Sequence, residues 1–284
     1  MEFWKMHGLG NDFIVIDARE QNDKDQPKID FANMAKQLCA RKFQVGADGL
    51  VVISEGVTSP FKVNIFNADG SEAEMCGNAM RCIGKFLYEI NNHKHKSINL
   101  ETKAGTKALS LNVNQNIVTS IEVNMGKPSF LGKHIPVDGC ENNEIINYEI
   151  TLDSVPIAFT GVSMGNPHAV IFQDTISLQE VEDKGPVIET HPFFPYGTNV
   201  EFVRVIDRQN LEIEVWERGV GRTYACGTGA CASLAAAAKL GLTEPRATVK
   251  LPGGNLTIAW DHQGEEMFMS GSASIVFQGT IYSG

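Results

Sequence analysis

Two cysteines occupy matched settings in this sequence. Cys76-Gly77-Asn78 ends a stretch that begins Phe66-Asn67-Ala68-Asp69-Gly70-Ser71-Glu72, and Cys226-Gly227-Thr228 ends another that begins Trp216-Glu217-Arg218-Gly219. Laid without gaps at an offset of 150 positions, Phe66 falls on Trp216, Asn67 on Glu217 and Cys76 on Cys226. In each copy an apolar alternating run leads into a glycine-bearing turn, and the Cys-Gly-polar step opens a small-residue apolar segment with helical spacing. Each thiol therefore sits at a helix N-terminus. Unpaired N–H groups and the helix dipole favour negative charge there and can draw a thiol below its ordinary value of about 8.5. A lone Cys-Gly pair is equally well a small buried hydrophobe; its duplication in one local setting argues for a matched pair of reactive groups.

Two acid/base groups on opposite sides of one carbon can remove a proton from one face and return one to the other. An amino-acid Cα–H is a very weak acid, so such a site has to stabilise a carbanion-like transition state. Two helix N-termini converging on the α-carboxylate, through the N–H groups around Gly77-Asn78 and Gly227-Thr228, would do so. One cysteine must be thiolate and the other thiol, with roles exchanged for the opposite isomer. Inversion at the carbon is the natural output. The copies differ where Asn67 faces Glu217 and where Phe13 is replaced by His168. Glu217 and His168 are thus candidates for placing charge beside the thiols, against the plainer readings of a surface ion pair between Glu217 and Arg218 and a structural histidine. Asn11, Asn67, Asn166 and Asn199 read as turn residues, where asparagine has a conformational use; four of them beside repeated motifs fit better with hydrogen bonds to a zwitterionic ligand.

The elements that must hold these residues repeat as well. Gly10-Asn11 matches Gly165-Asn166 at an offset of 155, Gly46-Ala47-Asp48 matches Gly197-Thr198-Asn199 at 151, Lys62 to Phe66 matches Glu212 to Trp216 at 150, and Gly105 matches Gly254 at 149. Ordered matches with so small a drift imply two structurally equivalent halves. Short alternating strands are expected at 14–16, 50–53, 61–66, 99–113 and 117–123, Gln21 to Lys28 as a loop, and a helix capped by Asp30 with Phe31, Met34, Leu38 and Cys39 on one face. The segment after Cys226, through Ala230, Ala232, Leu234 and Ala235 to Ala238, is apolar nearly all round, which marks a helix enclosed on every side. The expected fold is α+β: two pseudo-symmetric domains, each a curved, barrel-like mixed or antiparallel sheet wrapped around a central helix, with the active site in the cleft between them. Residues 1–122 with 271–284 form the first domain and 123–270 the second, the tail from Met267 to Tyr282 returning to complete the first sheet.

The 284 residues, 43% hydrophobic and 20% charged, suit one large or two medium globular domains. A formal charge of −10 without a Lys/Arg cluster argues against a nucleic acid or an anionic membrane as partner. No basic-then-apolar leader and no span of about 18 to 20 apolar residues is present, so the cytoplasm is the expected compartment, with reduced cysteines. The spacings of the six cysteines match no zinc ribbon or redox pair, and the seven histidines form no ligand set, so no metal is expected.

His7-Gly8-Leu9-Gly10-Asn11-Asp12-Phe13, the Phe66–Asn78 motif, Met164-Gly165-Asn166-Pro167-His168 and Glu217-Arg218-Gly219 with Ala225-Cys226-Gly227-Thr228-Gly229 together resemble the diaminopimelate epimerases, over the whole chain. The resemblance implies a cofactor-independent isomerase interconverting LL- and meso-2,6-diaminopimelate, in lysine and peptidoglycan-precursor biosynthesis. It implies Cys76 and Cys226 as the acid/base pair, His168 and Glu217 as their modulators, and Asn11, Asn67, Asn166, Asn199, Glu217 and Arg218 as substrate contacts, with Arg218 suited to the distal carboxylate. The sequence departs from the family at Gly49, where some members carry a substrate-contacting Gln, at Ala79-Met80 and at Arg222. The expected partner is the small amino-acid substrate, and a homodimer is left open. Rival readings are a Cys-His thiol hydrolase or acyl transferase, a duplicated anion-binding module, and a racemase for another amino acid.

Overall fold

The computed structural model describes residues 1–19, 29–152, 154–261, 263 and 265–282; the loop expected over Gln21 to Lys28 lies outside the described residues. Two compact units are formed, one by Met1–Val123 with Gly271–Gly284 and one by Asn124–Ser270.

In the first unit, β1 (Glu2–Gly8) and β2 (Asn11–Asp17) form an antiparallel hairpin. The chain crosses through α1 (Phe31–Leu38) to β3 (Gly49–Glu55), which lies parallel to β2 with Phe13 opposite Gly49. Asp30 caps α1 by accepting from Asn33 N at 3.0 Å, and Ala35, Leu38 and Cys39 pack on Ile14, Ile16, Leu50 and Val52. β4 (Phe61–Asn67) runs antiparallel to β3, and the short β5 (Glu72–Ala73) folds back on it. Helix α2 (Gly77–Glu89) then crosses to β6 (Ser97–Thr102), parallel to β4, followed by antiparallel β7 (Gly105–Asn114) and β8 (Ile117–Gly126).

The second unit repeats this pairing by pairing. β9 (Tyr148–Leu152), β10 (Val155–Ser163) and β11 (Pro167–Phe172) are antiparallel in turn. Helix α3 (Leu178–Glu189) crosses to β12 (Asn199–Asp207), parallel to β11 with His168 opposite Asn199. β13 (Asn210–Glu217) is antiparallel to β12, and β14 (Gly221–Thr223) folds back on β13. Helix α4 (Gly227–Lys239) crosses to β15 (Arg246–Leu251), parallel to β13, and β16 (Gly254–Asp261) and β17 (Glu266–Gly271) close the series. Phe61 stands opposite Leu100 in one unit as Leu211 stands opposite Val249 in the other. The last strand, β18 (Ser274–Thr280), pairs with β1, Glu2 opposite Thr280, and takes in the first unit the place that β9 takes in the second. The expected return of the tail is thus made by β18; the earlier part, β17, belongs to the strand series of the second unit.

Helices α2 and α4 are buried. Every residue of α2 from Gly77 to Tyr88 is buried, and it packs on β1, β2, β7 and β18. α4 packs on β10–β13, β15 and β16, which is why its small residues run all the way round: an alanine surface lets strands approach from every side. The sheets curve round these helices but stay open, since no pairing among the described residues joins the two end strands of either one. The charged residues of α2 are matched internally. Lys85 donates to Glu89 at 2.7 Å and to Val118 O at 3.2 Å, and Arg81 Nε donates to Ser272 O at 3.1 Å.

One correspondence shifts. Gly46 and Gly197 do share positive φ, 73° and 70°, but Leu50 pairs with Phe66 as Val200 pairs with Trp216. The second turn is one residue shorter, and Gly49, not Asp48, is the counterpart of Asn199. Helix α3 carries no clear sequence signal, because Gly185-Pro186 lies inside it and both residues weaken a helix. Trp216 explains the glycine: a Cβ at Gly185 would come within 2.7 Å of the indole ring.

Candidate active site

Cys76 is the N-cap of α2, with extended backbone (φ −142°, ψ 115°), and its carbonyl accepts the first helical bond from Met80 N at 2.9 Å. The side chain is thereby aimed out of the helix start. Its Sγ lies 3.7 Å from Asn11 Oδ1, which also accepts from Asn78 Nδ2 at 3.0 Å. Asn11 Nδ2 donates to Asp48 Oδ2 at 2.8 Å. Behind Asn11, Asp48 Oδ2 takes the Asp12 amide at 3.0 Å, Arg41 pairs with Asp12 at 2.6 Å and with Asp48 at 2.8 Å, and Lys5 pairs with Asp12 at 2.6 Å. Burial by itself would raise the Asp12 carboxyl; hydrogen bonds from Arg41 and Lys5 outweigh it and hold the group below the usual carboxylate range. Asn67, at the end of β4, donates its side-chain amide to Ser71 Oγ at 2.9 Å and does not join this cluster.

Cys226 is the N-cap of α4, again extended (φ −116°, ψ 109°). Here the sulfur receives the Gly229 N–H at 3.3 Å and lies 3.5 Å from Thr228 Oγ1. Burial, then the nearby Glu217 and Glu201 carboxylates, push its thiol well above the ordinary value, opposed by the Thr228 and Gly229 donors. The helix-start effect expected from sequence is thus outweighed in this unit by desolvation and two negative neighbours. Glu217 accepts from Thr223 Oγ1 at 2.5 Å and its carboxyl is raised, chiefly by burial. Among the described residues it makes no ion pair with Arg218. Arg218 donates one Nη to Tyr196 O at 3.0 Å, and its side chain is exposed at the site rim.

His168, fully buried, has Nδ1 2.7 Å from Glu201 Oε1 and Nε2 3.0 Å from Asn166 Oδ1. Asn166 Nδ2 donates to Thr228 Oγ1 at 3.3 Å. Asn199 bridges two site segments, giving Nδ2 to Pro167 O at 2.8 Å and taking the Arg218 amide on Oδ1 at 2.9 Å. None of Asn11, Asn67, Asn166 and Asn199 has positive φ; they stand at or beside strand ends and the adjoining Gly10, Gly70, Gly165 and Gly197 make the turns. These asparagines are therefore not there to supply left-handed backbone, though Asn67 does bond across its own turn to Ser71.

Within the second unit, therefore, Cys226, Thr228, Asn166, His168 and Glu217 come together, and in the first, Cys76, Asn78 and Asn11. Gly77 and Gly227 are the first residues of their helices. Sequence reasoning missed Asp48 and Glu201. Asp48 lies in a turn rich in such residues, whereas Glu201 had a signal: an acid in the run Asn199-Val200-Glu201-Phe202-Val203, where both strand faces are buried. Two of the three departures from the family pattern have a local setting. A Cβ on Gly49 would lie 2.8 Å from Phe66 O, and Arg222 makes a two-pronged pair with Glu214 at 2.9 and 3.3 Å.

The diaminopimelate epimerase family model matches residues 3–131 and 160–276. A diaminopimelate epimerase of Methanococcus maripaludis is 45% identical over 281 residues, 99% of this chain and 99% of that one. One of Carboxydothermus hydrogenoformans is 45% identical over 282 residues, covering 99% and 100%. A crystal structure of a hydroxyproline epimerase from Agrobacterium vitis, with bound trans-4-hydroxy-L-proline, superposes with a TM-score of 0.68 over 98% of this chain and 91% of that one, at 17% identity, a likeness of fold. The paired helix-capping cysteines, the repeated topology and identity along nearly the full length agree: the chain belongs to the diaminopimelate epimerase family.

Proposed function

We propose that this isomerase interconverts LL-2,6-diaminopimelate and meso-diaminopimelate by a two-thiol proton exchange, in the route to lysine and peptidoglycan precursors. The two units are then its two epimerase domains, and Cys76 and Cys226 are its two proton carriers. One sulfur, as thiolate, takes the Cα proton; the other, as thiol, gives its proton to the opposite face. The Cα–H bond is exchanged for an S–H bond on one side and the reverse occurs on the other, so the enzyme ends with the roles of the thiols swapped and is ready for the other isomer. First-turn N–H groups of α2 and α4 stabilise the charge that develops on the α-carboxylate side. Asn11, Asn67, Asn166 and Asn199 recognise the polar groups of the substrate, and the exposed Arg218 fork takes the distal carboxylate. No cofactor enters the step.

The observation that carries this reading is that both repeats place a cysteine at the cap of a buried helix, with an asparagine-led polar cluster beside it. The same geometry weighs against a Cys-His nucleophile. Both ring nitrogens of His168 are engaged by Glu201 and Asn166, and Cys226 Sγ is engaged by Gly229 N, Thr228 Oγ1 and the Glu217 carboxyl. Incubation in D2O without pyridoxal phosphate is the test: deuterium enters Cα of diaminopimelate, and not of proline, glutamate or lysine. Hydrolysis or acyl transfer with no Cα exchange would refute it. A cytoplasmic location is part of the same reading; no helix among the described residues is long and apolar enough to cross a membrane. So is assembly as a homodimer, supported by exposed Val276 and Phe277 on the end strand β18 and checked by sedimentation.

A further inference from the structure

A continuous file of polar contacts runs from deep in the second unit to the Cys226 sulfur. Glu201 Oε1 lies 2.7 Å from His168 Nδ1, His168 Nε2 lies 3.0 Å from Asn166 Oδ1, Asn166 Nδ2 lies 3.3 Å from Thr228 Oγ1, and Thr228 Oγ1 lies 3.5 Å from Cys226 Sγ. At its far end Glu201 is fully buried between Val200 and Phe202, and its Oε2 has no hydrogen-bond partner among the described residues. A carboxylate in such a place costs stability. What it does is hold His168 Nδ1 at 2.7 Å.

The hydrogen bonds have directions. Glu201 Oε1 faces one ring nitrogen of His168 and Asn166 Oδ1 faces the other. With Oδ1 turned to the ring, the Asn166 amide presents Nδ2 to Thr228. The Thr228 oxygen accepts there, and its hydroxyl proton is left for Cys226 Sγ, alongside the Gly229 N–H. If Asn166 turns over, Thr228 must donate to Asn166 instead and the sulfur loses a donor. Gly229 permits the close approach: a Cβ there would lie 2.8 Å from Glu201 Oε1 and 3.2 Å from Cys226 Sγ.

We propose that Glu201 is a positioning residue for epimerisation: through His168 and Asn166 it fixes the Thr228 hydroxyl as a donor to Cys226, and so sets how readily that sulfur holds negative charge. The inference rests on the two-thiol reading. The titratable groups that face this file are Glu201 on β12, His168 on β11, Glu217 at the end of β13 and Cys226 at the head of α4. The two possible effects of removing the Glu201 charge have opposite signs. A bare negative charge opposes thiolate formation, and its loss would ease it. In the linked arrangement the Asn166 amide loses its fixed orientation when the carboxylate goes, and the lost Thr228 donor acts on the sulfur in the opposite direction.

The test is Glu201→Gln, with Cys226 alkylation by iodoacetamide followed across pH by peptide mass spectrometry, and with kcat and KM measured over the same range. The expected result is an alkylation midpoint raised by about one to two pH units and a kcat lowered roughly 10- to 100-fold, the size of one lost hydrogen bond to a charged group, with KM little changed. A midpoint that stays put, as for a packing residue, or that moves down, as for a bare charge, overturns the proposal. Melting temperature monitors folding, and Glu201→Asp, which withdraws the carboxylate by one methylene, carries the same measurement if the Gln variant does not fold. A Cys226→Ala enzyme that still epimerises would bring down the two-thiol reading itself; an inactive Cys226→Ala beside an unshifted Glu201→Gln brings down only this inference.

Discussion

Asn11 gives its amide Nδ2 to Asp48 Oδ2 at 2.8 Å, and this bond decides which atom of Asn11 faces Cys76: the carbonyl oxygen, 3.7 Å from the sulfur. An asparagine amide rotates freely until one end is claimed. Asp48 claims it, and is itself held by Arg41 at 2.8 Å. Replacing Asp48 with Ala should therefore leave the strand pairing intact yet lower kcat roughly 10- to 100-fold, the cost of one hydrogen bond to a charged group. Steady-state kinetics with a circular dichroism control checks it, and a wild-type kcat would show that Asn11 needs no such orientation.

The second prediction concerns the thiols. Cys76→Ala and Cys226→Ala each remove one of the two proton carriers of the proposed mechanism, so each should abolish epimerisation in both directions, while the extended N-cap backbone lets alanine take either position without refolding. Serine in either place should also be almost inactive, because a hydroxyl is far more weakly acidic than a thiol. Near-normal turnover in a single alanine variant would eliminate the two-thiol mechanism.

Much of this site was legible before any coordinates. The repeat is a matter of spacing, and spacing survives folding: Cys76 and Cys226 are helix caps, and Gly105 and Gly254 begin equivalent strands, as the offsets require. What sequence could not give was partnership. Whether Glu217 meets Arg218 or Thr223 depends on how β14 folds back on β13, and whether His168 is solitary or anchored depends on a strand some thirty residues away that brings Glu201 beneath it. The thiol environment is a similar case. A helix start pulls a cysteine toward thiolate, but burial and two carboxylates pull Cys226 the other way, and only three-dimensional placement reveals which prevails.

Glu217 supplies the third prediction. Its negative charge stands second among the causes, after burial, that raise the Cys226 thiol. Glu217→Gln should thus make the thiolate easier to form, shifting alkylation of Cys226 to lower pH, even as catalysis falls through loss of the carboxylate that the proposed reaction uses. An unmoved or upward-shifted alkylation profile would show that Glu217 does not act on the sulfur by charge.

The last prediction concerns stability at high pH. Burial pushes the thiols of Cys39 and Cys82 up to about 11 and about 12 from an ordinary 9.0. A thiol raised in the folded state stays protonated there while the unfolded chain releases its proton, so above about pH 9 the folded state binds more protons and stability falls as pH rises. Their contribution is whole below pH 9 and is lost progressively toward 11 for Cys39 and toward 12 for Cys82. Melting temperature should accordingly decline from about pH 9 upward in the wild type. In Cys39→Ala/Cys82→Ala the decline should be shallower, on top of a pH-independent loss of about 1 to 3 kcal/mol from the small cavities left behind. The slope, not the offset, decides the matter: equal slopes in the two proteins would mean that these buried thiols do not titrate in the unfolding reaction.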